Sequence, residues 1–528
     1  MNSTQRWTMV AAILGSGIVF LDGTIVNVAL PAIGAELPSS VFGVLEGQAY
    51  IVSGYLAVLA ALLIIAGALA DYYGRRLIFG IGLAGFGVTS LLCGIAPNLE
   101  LLVLFRVLQG AAGALLVPGS LSIITATFDG PARARAFGIW AAATSGLVVL
   151  GPMAGGLLVD TLSWRIAFLV NIPLIAVALF ATIRHMKESK DPQASGRFDW
   201  LGAVVGAVAI GGLAFGAIRG QERAWSDTIA WWSLGIGAVA AVAFPLLMRR
   251  PNPLVPLSLF AIRDFAVINL STFLIYGALY VGQVYQTLLL QGTLGYTAFA
   301  AGIAGLPVGL CLVLLSTRIG TLAGRFGARP FLVAGPVLMG ISQLWLARVP
   351  ADSAPWAAAL DDPASILPPA SFLVDILPAL LVFGVGIALV VAPLTSTLMS
   401  SIPSRNAGLG SAINNALSRV GQPLLGALIF IVVSATFYAG LGSRLPGVDT
   451  NDPGLRAQMS PLNPPRAGTP EEQVEAAQQS SVDAFRLAAI ISGGLLFGGA
   501  VVNLIGLSGD RPERRESTTE APGTAPAG

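Results

Sequence analysis

Charge is scarce in this sequence of 528 residues. Asp, Glu, Lys and Arg make up 11% of it, where a soluble domain carries about a quarter, and so sparse a set excludes an ordinary water-facing surface. Histidine occurs once, as His185 at the basic end of an apolar run, which excludes a histidine metal centre and a histidine proton relay deep in a membrane. Cys93 and Cys311 lack metal-ligand spacing and each sits inside an apolar run, so they read as small core residues rather than a disulfide. No P-loop, catalytic triad or metal cluster is present, so no enzyme activity, ATP hydrolysis or cofactor is expected, and no nucleic-acid partner. One GxGxxG match, at Gly80, Gly82 and Gly85, lacks the preceding strand that a dinucleotide site needs and reads as helix-packing glycines.

What is abundant is apolar sequence. Hydrophobic residues are 55% of the chain and the mean hydropathy is +0.79. Runs of 18 or more apolar residues recur from Trp7 to Leu507, each able to cross about 30 Å of hydrocarbon. The pattern predicts an all-α polytopic membrane protein with fourteen spans, at about 8–30, 47–69, 77–96, 99–127, 136–159, 165–184, 199–218, 228–248, 264–290, 298–318, 330–348, 372–397, 409–438 and 483–507. The first run reaches spanning length with no Ala-x-Ala site after it, so it reads as a span rather than a signal peptide. With the N-terminus in the cytoplasm, inner segments hold 19 of the 29 Lys and Arg, outer segments 8, and the spans themselves two, Arg106 and Arg419. That bias predicts both termini on the cytoplasmic side. Outer segments 349–371 and 439–482, rich in Pro, Ser, Asp and Gln, read as solvated loops, and the tail 509–528 as disordered.

A repeat divides the chain. Gly67–Arg76, GALADYYGRR, returns as Gly320–Arg329, GTLAGRFGAR, at an offset of 253 residues, each copy joining the second and third span of its half. This predicts an N-terminal six-helix bundle at 1–190, two additional linker helices at 191–250 and a C-terminal six-helix bundle at 251–508. Parallel repeats of this kind are a transporter signature, with the site near the midplane between halves.

The rare polar residues within spans mark candidate sites. Asp22 lies about 12 Å below the outer end of span 1 and Arg106 about 10 Å below that of span 4, so the two share a depth. A carboxylate pushed towards neutrality by burial and towards charge by a cation can take up and release a proton if their contact varies; the same pair can equally be a static pin between two helices. Gln109 adds a polar contact, and Gly110 and Gly113 permit close helix approach. In span 9, Asn269, Thr272, Tyr276, Tyr280, Gln283 and Thr287 form one polar stripe; Ser411, Asn415, Arg419 and Gln422 form another in span 13, and Gln48 and Tyr55 a third in span 2. Such stripes either line a wet cavity or hold helices together. As cavity they would suit a bulky amphipathic, often cationic, molecule, neutral or monovalent since no acid lies deep in the second half, with Asn27, Gln109 and Trp140 completing the expected lining.

Four motifs carry a family resemblance: LDGTIVNVALP in span 1, GALADYYGRR between spans 2 and 3, RVLQGAAGALLVPG at 106–119 and GLVVLGPMAGG at 146–156. The chain resembles a major facilitator superfamily transporter of the fourteen-helix drug:proton antiporter branch. The resemblance implies export of amphipathic small molecules against protons, driven by the proton gradient, by a monomer in a bacterial plasma (inner) membrane. Asp22 and Arg106 would couple protons. Asp71, Gly74, Arg75 and Arg76 would form a latch between halves, with Asp71 facing a helix N-terminus and Arg75 facing an acid such as Asp129. Gly151, Pro152, Gly155 and Gly156 would be the antiporter motif, and the two linker helices would be accessory, outside the transport core. A narrow exporter of a lipid, siderophore or other metabolite shares every motif, and a nutrient symporter or a non-transporting sensor is the more distant alternative.

Overall fold

The computed structural model describes residues 1–38, 44–190, 198–222, 225–359, 362–465 and 468–508. The expected tail at 509–528 lies outside the described residues, as do the side chains of Asn27, Gln48 and Pro152 and the surroundings of Gly156. All regular structure among the described residues is helical, in the order α1 (Ser3–Glu36), α2 (Val44–Tyr73), α3 (Arg75–Gly94), α4 (Leu99–Ala114), α5 (Leu116–Thr127), α6 (Gly130–Thr161), α7 (Ile166–Leu169), α8 (Asn171–His185) and α9 (Trp200–Glu222). There follow α10 (Thr228–Leu247), α11 (Ser258–Ala261), α12 (Arg263–Leu288), α13 (Ala298–Phe326), α14 (Arg329–Leu346), α15 (Leu377–Ser401), α16 (Ala407–Arg444), α17 (Pro453–Gln458) and α18 (Glu471–Gly506). Among the described residues 12 helical stretches are long and apolar enough to cross a membrane. Their outward faces agree: Trp232, Val239, Val242, Leu314 and Ile505 are all more than half exposed, an arrangement that suits hydrocarbon and not water.

Local chemistry sets the helix ends. Asn2 and Gln5 start α1 as a reciprocal capping box, Asn2 Oδ1 accepting from Gln5 N at 2.8 Å and Gln5 Oε1 from Asn2 N at 3.1 Å. Gly74 separates α2 from α3 with φ +124°, where an L side chain is strained, and a Cβ there would lie 2.7 Å from the Glu188 carboxyl. Glu188 instead accepts from Arg76 N and Leu77 N at 3.0 and 3.1 Å, placing a carboxylate on the start of α3.

The helices pack as two groups. In the first, α1 lies against α5, α6 and α8, and α2 against α4; in the second, α15 lies against α13 and α14, and α18 against α12, α14 and α16. The groups meet where α6 crosses α13 and where α2 and α5 meet α16. Small residues allow this: a Cβ on Gly138 would stand 3.0 Å from the Thr317 backbone, and one on Gly320 3.1 Å from the Ala134 carbonyl. The α9–α10 hairpin fills the flank beside α2 and α16, so α9 is not outside the core as expected. Glycines make the fit: Gly212 and Gly237 bring the hairpin backbones together, and Gly211 faces Ala61 of α2.

The two segments expected to be solvated loops pack instead as a cap. Helix α16 runs on to Arg444, α17 forms within 439–482, and α18 begins at Glu471. Trp356, Met459 and Leu462 are buried with Tyr296, Phe372, Phe437 and Phe485. Thr297 N donates to the Trp356 carbonyl at 3.1 Å, and Gln478 Nε2 to the carbonyls of Thr293 and Ala351 at 3.1 and 3.0 Å. A few large apolar anchors are enough to dock such segments; their polar majority describes only the outward face.

Gly151 and Gly155 press α6 against α1 just past Asp22: a Cβ on Gly155 would stand 3.2 Å from Ile25 Cα, and one on Gly151 would meet Thr24. Gly155→Leu should therefore lower the stability of the detergent-solubilised protein by about 1–3 kcal/mol, read from its unfolding midpoint. An unchanged midpoint would show that the two helices do not touch there.

Candidate functional site

Asp22 and Arg106 meet. Arg106 Nη1 donates to Asp22 Oδ2 at 2.5 Å, and the two residues are 1% and 0% exposed. With water excluded, every other polar atom nearby has to find a partner within the protein. Arg106 Nη1 also reaches Gln109 Oε1 at 2.8 Å, and its Nε donates to the Ile51 carbonyl at 3.1 Å. Asp22 Oδ1 accepts from Gln109 Nε2 at 3.2 Å and from Asn171 Nδ2 at 3.0 Å. Ser90 Oγ accepts from both of those amides, at 3.2 and 3.0 Å, and donates to the Phe168 carbonyl at 2.8 Å. Five helices thus converge, with Asp22 from α1, Ile51 from α2, Ser90 from α3, Arg106 and Gln109 from α4, and Asn171 from α8. The depth argument anticipated the pair. It missed Ser90 and Asn171, whose one signal is a polar residue in an apolar span. Asn171 Oδ1 is buried without a hydrogen-bond partner among the described residues.

Tyr55 separates this network from open space. Its ring lies 4.0 Å from the Arg106 guanidinium carbon, its hydroxyl donates to the Val19 carbonyl at 3.3 Å, and it also lines a cavity of about 1310 Å³. That cavity lies between α1, α2, α9, α12 and α16, and Thr450, Asn451, Arg456, Ser460, Pro461 and Asn463 also line it. Phe20, Tyr55, Tyr280, Arg419 and Gln422 line it, and so do Gln221 and Trp225 of the linker hairpin, which the stripes could not reveal. Gln109, Trp140, Tyr276, Gln283 and Asn415, expected in the lining, are not part of it. Gln109 is turned into the Asp22 network, Trp140 is buried in the core, and Asn415 bonds back to the Ser411 carbonyl at 2.9 Å. The span 9 stripe passes through three surroundings. Asn269 and Thr272 hold Asn414 of α16 at 3.2 and 2.8 Å, Tyr280 meets the cavity, and Gln283 is exposed.

The loop motif joins the two groups of helices. Asp71 Oδ1 accepts from Gly408 N at 3.1 Å and its Oδ2 from Leu409 N at 2.8 Å, at the first turn of α16. A carboxylate on unpaired N–H groups at a helix start gains both hydrogen bonds and the helix dipole. Arg75 does not face Asp129. It pairs with Asp71 at 2.9 Å and donates to the Ser404 carbonyl at 2.5 Å, while Asp129 is exposed and pairs with Arg133 at 2.8 Å. A buried guanidinium takes the nearest fixed acceptors, and Asp71 one turn back with the carbonyls before α16 supply them. Arg76 Nη2 donates to the Ile183 carbonyl at 2.7 Å, within the first group only.

Among the described residues no group of His, Cys, Asp and Glu is placed to hold a metal. Asn171→Ala should leave Asp22 Oδ1 and Ser90 short of a donor and cost about 1–3 kcal/mol in detergent unfolding; a neutral result would mean that water replaces the amide without loss.

Residues 12–426 match the model of the Major Facilitator Superfamily. The chain is 32% identical over 524 residues to the multidrug resistance protein Stp of Mycobacterium tuberculosis (strain CDC 1551 / Oshkosh), covering 96% of this chain and 92% of that protein. It is also 32% identical to the methylenomycin A resistance protein of Bacillus subtilis (strain 168), over 84% of this chain and 91% of that one. Among solved structures it is similar to the human organic anion transporter MFSD10, with a TM-score of 0.58 at 15% identity over 94% of this chain and all of that one, a likeness of fold alone. This multi-pass membrane protein belongs to the Major Facilitator Superfamily of transporters, with multidrug- and antibiotic-resistance proteins as its relatives.

Proposed function

We propose that the chain is a proton-coupled antiporter that exports amphipathic small molecules from a bacterial cell across its plasma membrane by alternating access. In this reading fourteen helices cross the bilayer: the 12 stretches above with α6 and α14, both termini being cytoplasmic. Residues 1–190 and 251–508 are the two moving bundles and 191–250 an inserted pair. The transporter works as a monomer, needs no cofactor and draws on the proton gradient. The resistance functions named for its relatives support export, and the excess of basic residues on one side supports the orientation.

The observation that carries the reading is the single aromatic ring between a buried ion pair and a large cavity. A proton on Asp22 removes the charge that Arg106 faces. Arg106 then keeps Gln109 Oε1, the Ile51 carbonyl and the Tyr55 face, so it need not leave its place. The new Asp22 hydroxyl needs an acceptor, and Asn171 supplies one by turning its amide so that the unpartnered Oδ1 faces it. Tyr55 is shared by pair and cavity, so substrate pressing on the ring and proton on Asp22 each alter the other's free energy, which is what coupling requires. The latch stabilises one of the two conformations: Asp71 and Arg75 hold the start of α16 only while the helix ends that carry them are together.

Asp22→Asn should reduce pH-gradient-driven transport of a fluorescent amphipathic probe in proteoliposomes to the level of empty vesicles while probe binding persists. Gradient-driven transport by that variant at the native rate would end the proton assignment. Asp71→Asn removes one charge-assisted set of contacts, about 1.5–3 kcal/mol, and should shift the conformational balance about tenfold or more towards an opened latch. Spin labels on either side of the latch report this as a longer distance; an unchanged distance distribution would assign Asp71 to local packing.

A further inference from the structure

We infer that the cavity selects substrates carrying an anionic group, a carboxylate or its equivalent, on an aromatic or apolar body, with the anion seated on Arg419. The inference deepens the transport reading and rests on the cavity being the substrate site. Arg419 stands on α16 in the cavity wall and, among the described residues, makes no ion pair; its guanidinium carbon is 5.8 Å from the Phe20 ring. Arg419 is half-buried, whereas the two arginines that the structure buries fully are each matched, Arg106 by Asp22 and Arg75 by Asp71. The other charge in the lining is also positive. Arg456 lies 4.4 Å from the Tyr438 ring and donates to the Thr450 carbonyl at 2.8 Å and to Asn451 Oδ1 at 3.0 Å. No aspartate or glutamate lines the cavity among the described residues. The buried carboxylate on the far side of Tyr55, Asp22, has both oxygens occupied by Arg106, Gln109 and Asn171, so it supplies Arg419 with no contact.

A guanidinium in a wall of aromatic and aliphatic groups, with no fixed counterion, is most favourable when an anion arrives to fill its planar fork. Trp225 of the linker hairpin adds an aromatic residue to the wall. Phe20, Tyr280, Leu288 and Phe430 offer apolar faces for the rest of the molecule. Among the described residues a cationic substrate meets two positive charges and no acid, so the same wall that attracts an anion disfavours a cation.

The test uses the purified full chain in detergent and three probes that share one fluorophore: dansylglycine, its methyl ester and dansylcadaverine. Dansylglycine should bind about tenfold or more tightly than the ester and the amine. Arg419→Gln should erase that preference and Arg419→Lys should keep most of it, with the unfolding midpoint of each variant showing that it is folded. Absence of dansylglycine binding, equal or tighter binding of the amine, or a preference that survives in Arg419→Gln would overturn the inference. Binding is read without a gradient. Normal gradient-driven transport by Asp22→Asn would therefore remove proton coupling and leave the anion preference standing, whereas loss of preference in a still-coupled transporter would do the reverse.

Discussion

A carboxylate and a guanidinium held together without water are the constraint around which the first half of this molecule is built. Taking both charges out of water costs several kcal/mol per ion, and the cost is offset only if the pair is close and its remaining polar atoms are satisfied. Asp22 and Arg106 therefore bring a second layer with them: Gln109, Ser90 and Asn171, and the Ile51 carbonyl. Because those groups come from five helices, one ion pair fixes the register of most of the bundle. The glycines of α6 let a further helix lie close to α1 at the same level. The small residues of α6 thus let a helix that gives the pair no hydrogen bond still pack closely beside it.

The latch uses the same physics with the opposite consequence. Its acid is met by backbone N–H groups of another group of helices, so its satisfaction depends on how the two groups stand to each other. The Asp22 network is internal to one group. One set of buried charges thus ties helices within a group, and the other ties the two groups to each other.

Much of this could be read from residue order, for identifiable reasons. Span positions follow from hydropathy, and Asp22 and Arg106 could be matched by counting residues from the membrane edge, because helical rise converts sequence into depth. Depth says nothing of azimuth. Hence residue order offers Gln109 both as a contact of the pair and as cavity lining, of which the structure shows the first, and it gives no sign that Asn171 completes the site. Arg75 was paired with the wrong acid because a basic residue at a loop can turn to any acceptor within reach, and the carbonyls of Ser404 and Arg405, far away in sequence, were not visible as candidates. The cap formed by 349–371 and 439–482 was hidden by composition, since Trp356, Met459 and Leu462 are a small minority among polar neighbours. The position of α9 depends on Gly211, Gly212 and Gly237, and glycine spacing alone does not say which neighbour a helix will meet.

That hairpin has a mechanical consequence. At its α9 end, Arg219 binds Asp227 of its own turn and Tyr50 of α2, while Gln221 donates to the Pro423 carbonyl of α16 at 3.1 Å. One short stretch of chain is therefore anchored to both sides of the cleft. Under the alternating access proposed above, any rotation of α2 away from α16 would lengthen or break one of these ties, so the inserted pair would act as a strap across the opening without having to touch the proton.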